Sequence, residues 1–210
     1  MIYYGYYADL APGAVEELVS SARVCRLVTL GEGVPHLGLY PFTGDPSGFA
    51  LHLQREDEQI ADLRARPRCV LEVDEVLATI PSHWIDPEHA VFATAYHKTA
   101  MFECSAELVE TPAGVAEIQR GFMRRYQPEG GYRPIAANDP LYAGLIGMLV
   151  GVRLVVERAK IKFKLGQNRD PELRARIVAR LRERGAPLDL RTADELEATL
   201  RLGSTRDDRP

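Results

Sequence analysis

The chain has 210 residues, 46% hydrophobic and 27% charged, with a formal net charge of −4 and a pI near 5.8. That is enough apolar material for a sizeable core, and it is no nucleic-acid signature for the protein as a whole, which would need a clustered basic face. The longest apolar run, 141–156, is broken by Gly144, Gly147, Gly151 and Arg153, which excludes a membrane span.

Val15, Leu18, Val19 and Ala22 recur at helical spacing and predict a helix over 11–22. VCRLVTL (24–30), VPHLGLYPF (34–42) and FALHLQ (49–54) read as three strands. The turns GEG (31–33) and TGDPSG (43–48) join them into an antiparallel meander. A helix over 57–66, with Ile60 and Leu63 inward, ends before Pro67. CVLEV (69–73) is a fourth strand, 78–89 reads as irregular around Pro81 and Pro87, and 90–110 holds a fifth strand with room for a sixth. Thr111 and Pro112 open a helix as N-cap and first residue, with Val115, Ile118, Phe122 and Tyr126 as its stripe. A polar loop at 127–139 and a helical turn at 140–147 precede the last long strand, 148–157.

Lys160, Lys162 and Lys164 then alternate with Ile161, Phe163 and Leu165, so the three lysines share one strand face. Asp170 and Pro171 start a helix with Leu173, Ile177 and Leu181 inward and Gly185 just past its end. Thr192 with Glu195 reads as a capping box for a helix over 193–201. These elements predict one domain over 1–202, a flexible tail at 203–210 and a small closed β-barrel with flanking helices. Cys25, Cys69 and Cys104 match no zinc spacing and sit in apolar runs, so they are expected as buried thiols in a reducing compartment. The N-terminus MIYYGYYADL has no signal-peptide pattern, and the expected location is the cytoplasm.

No Walker loop, G-x-G-x-x-G, G-x-S-x-G or H-E-x-x-H is present. None of the five histidines pairs with another at helical spacing, so no metal site and no catalytic acid or base is assigned. Three clusters can carry binding chemistry. LHLQREDEQ (51–59) leads a strand into a helix N-terminus, where Arg55 could add a phosphate contact; the competing reading is a solvated acidic helix start. PSHWIDPEH (81–89) holds the only tryptophan, Trp84, either bordering a planar ligand or anchoring its loop. AYHKTAMFECSAE (95–107) offers Tyr96 and Lys98 at a strand start, as a ligand contact or a solvated strand end.

KFKLGQNRD (162–170), IPSHW (80–84), HLGL (36–39) and GFALHLQREDEQ (48–59) together resemble the FMN-binding split-barrel superfamily, which includes pyridoxamine 5′-phosphate oxidase. Within it they are most similar to the PaiB-type FMN-binding negative transcriptional regulators. The C-terminal run matches that family's Lys-aromatic-Lys-Leu-x-Gln-Asn-Arg, with Phe163 and Gly166 in place of its usual Trp and Ser, and the likeness extends over roughly 20–185. It implies a mainly β fold, a six-stranded antiparallel split β-barrel, and a homodimer holding FMN between subunits. It also implies that Arg55 and Gln59 face the phosphate, that Ser82, His83 and Trp84 border the flavin or ribityl chain, and that Tyr96, His97 and Lys98 occupy a flavin-contacting triplet. Lys164 stands where the wider superfamily carries an arginine near the cofactor.

The sequence departs from the pattern in two places. The Trp-Asn-Tyr triplet of the family is Tyr96-His97-Lys98 here, and Asp57 and Glu58 stand where the oxidase branch has phosphate-binding residues. Two carboxylates beside a phosphate dianion cost about 1 kcal/mol or more at surface dielectric. The leading expectation is a flavin-dependent oxidoreductase acting on a small molecule of unknown identity. Three alternatives stay open: lost FMN binding, a barrel binding haem or another planar ligand, and a PaiB-like regulator touching DNA through Arg174, Arg176, Arg180, Arg182 and Arg184.

Overall fold

The computed structural model describes residues 4–8 and 10–207, the side chains of 202–207 excepted. In chain order the elements are α1 (Ala14–Ser21), β1 (Cys25–Leu30), β2 (Pro35–Tyr40), β3 (Thr43–Asp45), β4 (Gly48–Gln54), α2 (Glu58–Ala65), β5 (Arg68–Ile80), β6 (Thr94–Val109), α3 (Pro112–Tyr126), α4 (Pro140–Gly147), β7 (Leu149–Lys164), α5 (Pro171–Arg184) and α6 (Asp189–Asp207). Single 3-10 turns fall at Gly5–Tyr7, Ser82–Trp84 and Ala90–Phe92. Of the tail expected at 203–210, residues 208–210 lie outside the described residues.

Helix starts follow local chemistry. Asp57, Thr111, Asp139 and Asp170 each accept a backbone N–H in the first turn, and prolines follow the last three. A side-chain oxygen there satisfies an N–H that has no intrahelical partner, and proline has no N–H to satisfy. α5 ends at Gly185, whose φ of 61° lies in the left-handed region glycine tolerates, with its N–H donating to the Leu181 carbonyl at 3.0 Å. The cap expected at Thr192 is not one. The helix already begins at Asp189, and the Thr192 hydroxyl lies inside it, donating to the Leu188 carbonyl at 2.7 Å and accepting from the Ala78 N–H at 2.9 Å.

Seven strands, in the order β2-β1-β5-β6-β7-β4-β3, form an antiparallel sheet that does not close. This is the expected mainly β fold, with β3 as a strand beyond the six expected, and the closed barrel read from the strand spacing is corrected to an open sheet. The three-strand meander is corrected: β4 pairs with β7, from Gly48↔Val155 to Gln54↔Leu149, and not with β2. Phe42 explains the parting. It is fully buried, and the Tyr126 hydroxyl accepts its N–H at 3.0 Å while donating to its carbonyl at 2.7 Å. This clamp ends β2 at Tyr40 and turns the chain into the β3–β4 hairpin. β5 also runs beyond the expected 69–73, because Asp74 and Glu75 are strand residues; Glu75 is paired with Lys98 and Arg191 rather than solvated in a loop.

The chain divides into two compact units. One comprises Met1–Leu18, Asp74–Ala100 and Ile161–Pro210, the other Val19–Val73 and Met101–Lys160. In the second, Phe49 packs edge-on against Phe42 and Phe102, with ring centroids 5.8 and 5.0 Å apart, amid buried Leu27, Leu51 and Leu71. A polar strut crosses it. Asp62, buried, accepts from Thr29 Oγ1 at 2.6 Å and from His36 Nδ1 at 2.7 Å. Gln59 Nε2 donates to the Leu27 carbonyl at 3.0 Å and to Thr29 Oγ1 at 3.1 Å, and the Tyr40 hydroxyl donates to Gln59 Oε1 at 2.7 Å. Cys25, Cys69 and Cys104 are free, buried and placed on the neighbouring strands β1, β5 and β6. Burial pushes their thiols up to about 12, 12 and 11 respectively.

In the first unit the core is Ile80, Phe163, Leu165, Ile177, Leu181 and Leu196. Lys98, only 2% exposed, places Nζ 2.6 Å from both Glu75 and Glu195, and Arg191 pairs with the same two carboxylates at 3.0 and 2.7 Å. The arginines of α5 do not present one free basic face. Arg174 is buried, Arg182 pairs with Asp194 and Glu197, and Arg184 pairs with Asp189. Among the described residues no helix is long and apolar enough to cross a membrane, and no group of three metal-ligating side chains could hold an ion.

Candidate functional site

The first unit contains a cleft of about 330 Å³ at the end of β7. Tyr96, buried to 2% exposure, forms part of its lining, along with Phe92, Thr94, Lys164, Asn168 and Arg169. The turn Gly166–Arg169 shapes one wall. Gly166 has a φ of 71°, and a Cβ there would lie 2.5 Å from the Tyr96 hydroxyl, so glycine is required both by backbone and by space. Gln167 fixes the turn: its Oε1 accepts from the Leu165 N–H at 2.8 Å, and its Nε2 donates to the Phe163 carbonyl at 2.6 Å.

Among the described residues two cations line the cleft, and no carboxylate does. Arg169 lies over Phe92, its guanidinium carbon 5.0 Å from the ring centroid. Lys164 Nζ donates to Thr94 Oγ1. Burial, and then the charge of Lys162, hold the Lys164 ammonium below the ordinary lysine range. Lys162 itself lies over the Tyr7 ring at 5.2 Å. The face of lysines thus ends in three different tasks, since Lys160 pairs with Glu103 at 2.7 Å.

The other residues implied by the resemblance have other settings. His97 is half-buried, and burial followed by Lys162 and Lys164 lowers its pKa, so it stays neutral to below the ordinary histidine value. Lys98 is held by Glu75 and Glu195. Ser82 and exposed His83 sit in the 3-10 turn with Trp84. Trp84 lines a separate hollow with Arg180, Glu183 and Arg184, and the Arg184 guanidinium stacks 4.6 Å from its centroid. In the second unit, Arg55 pairs with Glu110 at 3.0 Å and donates to the Gly147 and Leu149 carbonyls, while buried Gln59 is committed to the strut.

A phosphate-bearing cofactor needs fixed cations and neutral donors without acids nearby. The cleft meets that requirement through Lys164, Arg169, Asn168 and the Tyr96 hydroxyl, and Phe92 adds an aromatic wall. At the Arg55 corner Glu110 pairs with the guanidinium, and Asp57 and Glu58 follow Arg55 in sequence. Sequence reasoning quoted Asn168 and Arg169 but did not assign them. Arg174, read in the sequence as a candidate DNA contact, is buried, in keeping with the i, i+4, i+7 spacing it shares with Val178 and Leu181.

Comparison with known proteins agrees with this fold. The chain is similar to a conserved hypothetical protein of Mycobacterium tuberculosis (21% identity over 78% of this chain and 91% of that one, TM-score 0.57). It is similar to the flavocytochrome Anf3 of Azotobacter vinelandii (17%, 73% and 67%, 0.60) and to an FAD- and heme-binding protein of Mycobacterium smegmatis (9%, 74% and 72%, 0.60). At these identities the likeness establishes the split-barrel fold. Curated proteins gave no match. The family model described as "Putative FMN-binding domain" matches residues 1–158, three quarters of the sequence, and the chain belongs to that family.

Proposed function

We propose that the protein is an FMN-dependent oxidoreductase that works as a cytoplasmic homodimer on a small molecule. The observation that carries this reading is the cleft that brings Lys164 and Arg169 together, with no carboxylate among its described lining residues, in a chain of an FMN-binding family. Bound FMN would supply hydride chemistry, and the chain supplies placement and field. Lys164 and Arg169 hold the phosphate end by charge, the Tyr96 hydroxyl donates or accepts one hydrogen bond, and Phe92 shields the site from water. No side chain is assigned as acid or base.

The homodimer is supported by the apolar outer side of β2. Leu37 and Leu39 are 64% and 59% exposed, next to Val34 at 59% and Leu30 at 49%, a patch that a second copy would cover. The three reduced thiols support the cytoplasmic assignment. A visible spectrum of the purified chain is expected to show flavin bands, or the colourless chain to quench added FMN fluorescence. Lys164→Ala is expected to weaken FMN roughly tenfold to a hundredfold, the worth of one charged hydrogen bond. A colourless protein that leaves FMN fluorescence unchanged would sink the reading.

A further inference from the structure

The second unit holds a pocket of its own. α4 reads PLYAGLIG, without Asp, Glu, Lys, Arg or His, and its Ile146 joins Val115 and Ala116 of α3 in a buried cluster. Beside that cluster α3, α4 and the loop 127–139 leave a space of about 290 Å³, lined mainly by Gln119, Met123, Ile135, Tyr142, Leu145 and Leu149. The loop is tied to both helices. Arg120 Nη1 of α3 donates to the Ile135 carbonyl at 3.0 Å, the Tyr142 hydroxyl of α4 donates to the Arg133 carbonyl, and Arg133 Nε pairs with Asp139 at 2.9 Å. These bonds engage the polar groups of the loop, fix its position, and leave the Ile135 side chain as its contribution to the pocket wall.

Charge, polarity and size together select the occupant. None of the described lining residues carries a carboxylate, an ammonium or a guanidinium, so a charged ligand would give up its hydration and meet no opposite charge. With the Tyr142 hydroxyl engaged by Arg133, the half-buried Gln119 amide is the polar contact in the lining, and an amide both donates and accepts. Water between such walls finds few partners, and an apolar body displaces it favourably. A cavity of about 150 Å³ takes one benzene ring, so this one takes about two. It is far too small to seat a protein partner, which needs about 800 Å² a side. Met123 and Tyr142 offer sulfur and ring contacts that favour an aromatic ligand, and Leu145, 62% exposed, stands at the entrance. We propose that the α3–α4 pocket binds an uncharged bicyclic aromatic molecule whose hydroxyl or carbonyl is oriented by Gln119. This goes beyond the FMN reading and does not depend on it: the cleft of Lys164 and Arg169 suits an anion, and this pocket excludes one.

The test titrates 2-naphthol into the full chain, followed by its own fluorescence and by calorimetry, with naphthalene and 2-naphthoate as comparisons. The expected result is one site per chain that holds 2-naphthol severalfold more tightly than naphthalene and at least tenfold more tightly than the charged 2-naphthoate. Gln119→Leu is expected to abolish the preference for 2-naphthol and leave naphthalene binding as it was. Leu145→Glu, at an exposed position, is expected to weaken both neutral probes at least tenfold with Tm unchanged. The proposal is overturned if 2-naphthoate binds as well as 2-naphthol, if L145E leaves binding intact, or if saturating FMN displaces 2-naphthol. It is also overturned if no probe binds while L145E converts a sedimenting dimer to a monomer, which would make this end of α4 an interface between copies. If L145E does not fold, Q119L decides: loss of the preference for the hydroxyl supports the site, and an unchanged preference rejects it.

Discussion

Lys98→Met is expected to remove about 3–5 kcal/mol of stability, the usual consequence of leaving buried charge without its partner. The methionine would fill the space, but Glu75 and Glu195, both within 2.6 Å of the ammonium, would face each other with only Arg191 between them. Chemical denaturation checks the size, and its pH dependence checks the cause. Burial tends to raise the Glu75 carboxyl, but the hydrogen bonds from Arg191 and Lys98 outweigh it and hold the pKa below the usual value. A lowered folded pKa contributes stability above the unfolded carboxylate value and loses it as pH falls through the folded one. The variant therefore has its largest deficit at neutral pH, and the gap to the wild type narrows below about pH 4. A deficit that does not change with pH would show that Lys98 acts by packing alone.

Asp62→Ala is expected to cost about 2–4 kcal/mol, because the Thr29 hydroxyl and the His36 ring lose their shared acceptor inside the second unit. An ionised carboxylate only accepts, so His36 carries its proton on Nδ1 and its neutral tautomer is fixed. Burial works to raise the Asp62 carboxyl, yet Thr29 and His36, with the charge of Arg66, keep it below its usual 3.8. Its contribution is complete above that value and fades on acidification below it. Asp62→Asn should lose less stability while abolishing this acid-dependent part. Equal unfolding of the two variants at pH 7 would place the effect in volume rather than in hydrogen bonding.

The helix boundaries were legible because a cap is a contract among residues three or four apart. Asp170-Pro171, Thr111-Pro112 and Gly185 could each be read without the rest of the chain. Strand partners were not legible in this way. β4 and β7 lie about a hundred residues apart, and the decision between β7 and β2 rests on Phe42 and Tyr126, a contact no local pattern contains. The site was half legible. Tyr96 was read from its strand-start cluster and Lys164 entered through the resemblance, and both line the cleft. Trp84 was read as either bordering a planar ligand or anchoring its loop, and Arg180 and Arg184 from a distant helix lie over its ring. The motif at 162–170, which supplied Lys164 and the turn to Arg169, lies past residue 158, where the family match ends. Arg174 was grouped with the four other arginines of one helix as a candidate DNA contact, and its inward spacing sets it apart from them.

The three sulfhydryls of the second unit also make a stopwatch. Each is held protonated on a separate strand, Cys25 and Cys104 at 1% exposure and Cys69 at 7%, with Cys69 and Cys104 bordering a surface cavity, so an alkylating reagent reaches Cys25 when its stretch of sheet opens and the other two with less opening. Modification at Cys25, Cys69 or Cys104, resolved by mass spectrometry over time, therefore gives the opening frequency of β1, β5 and β6 one by one. No label has to be engineered into the protein, and the reading can be repeated with and without flavin.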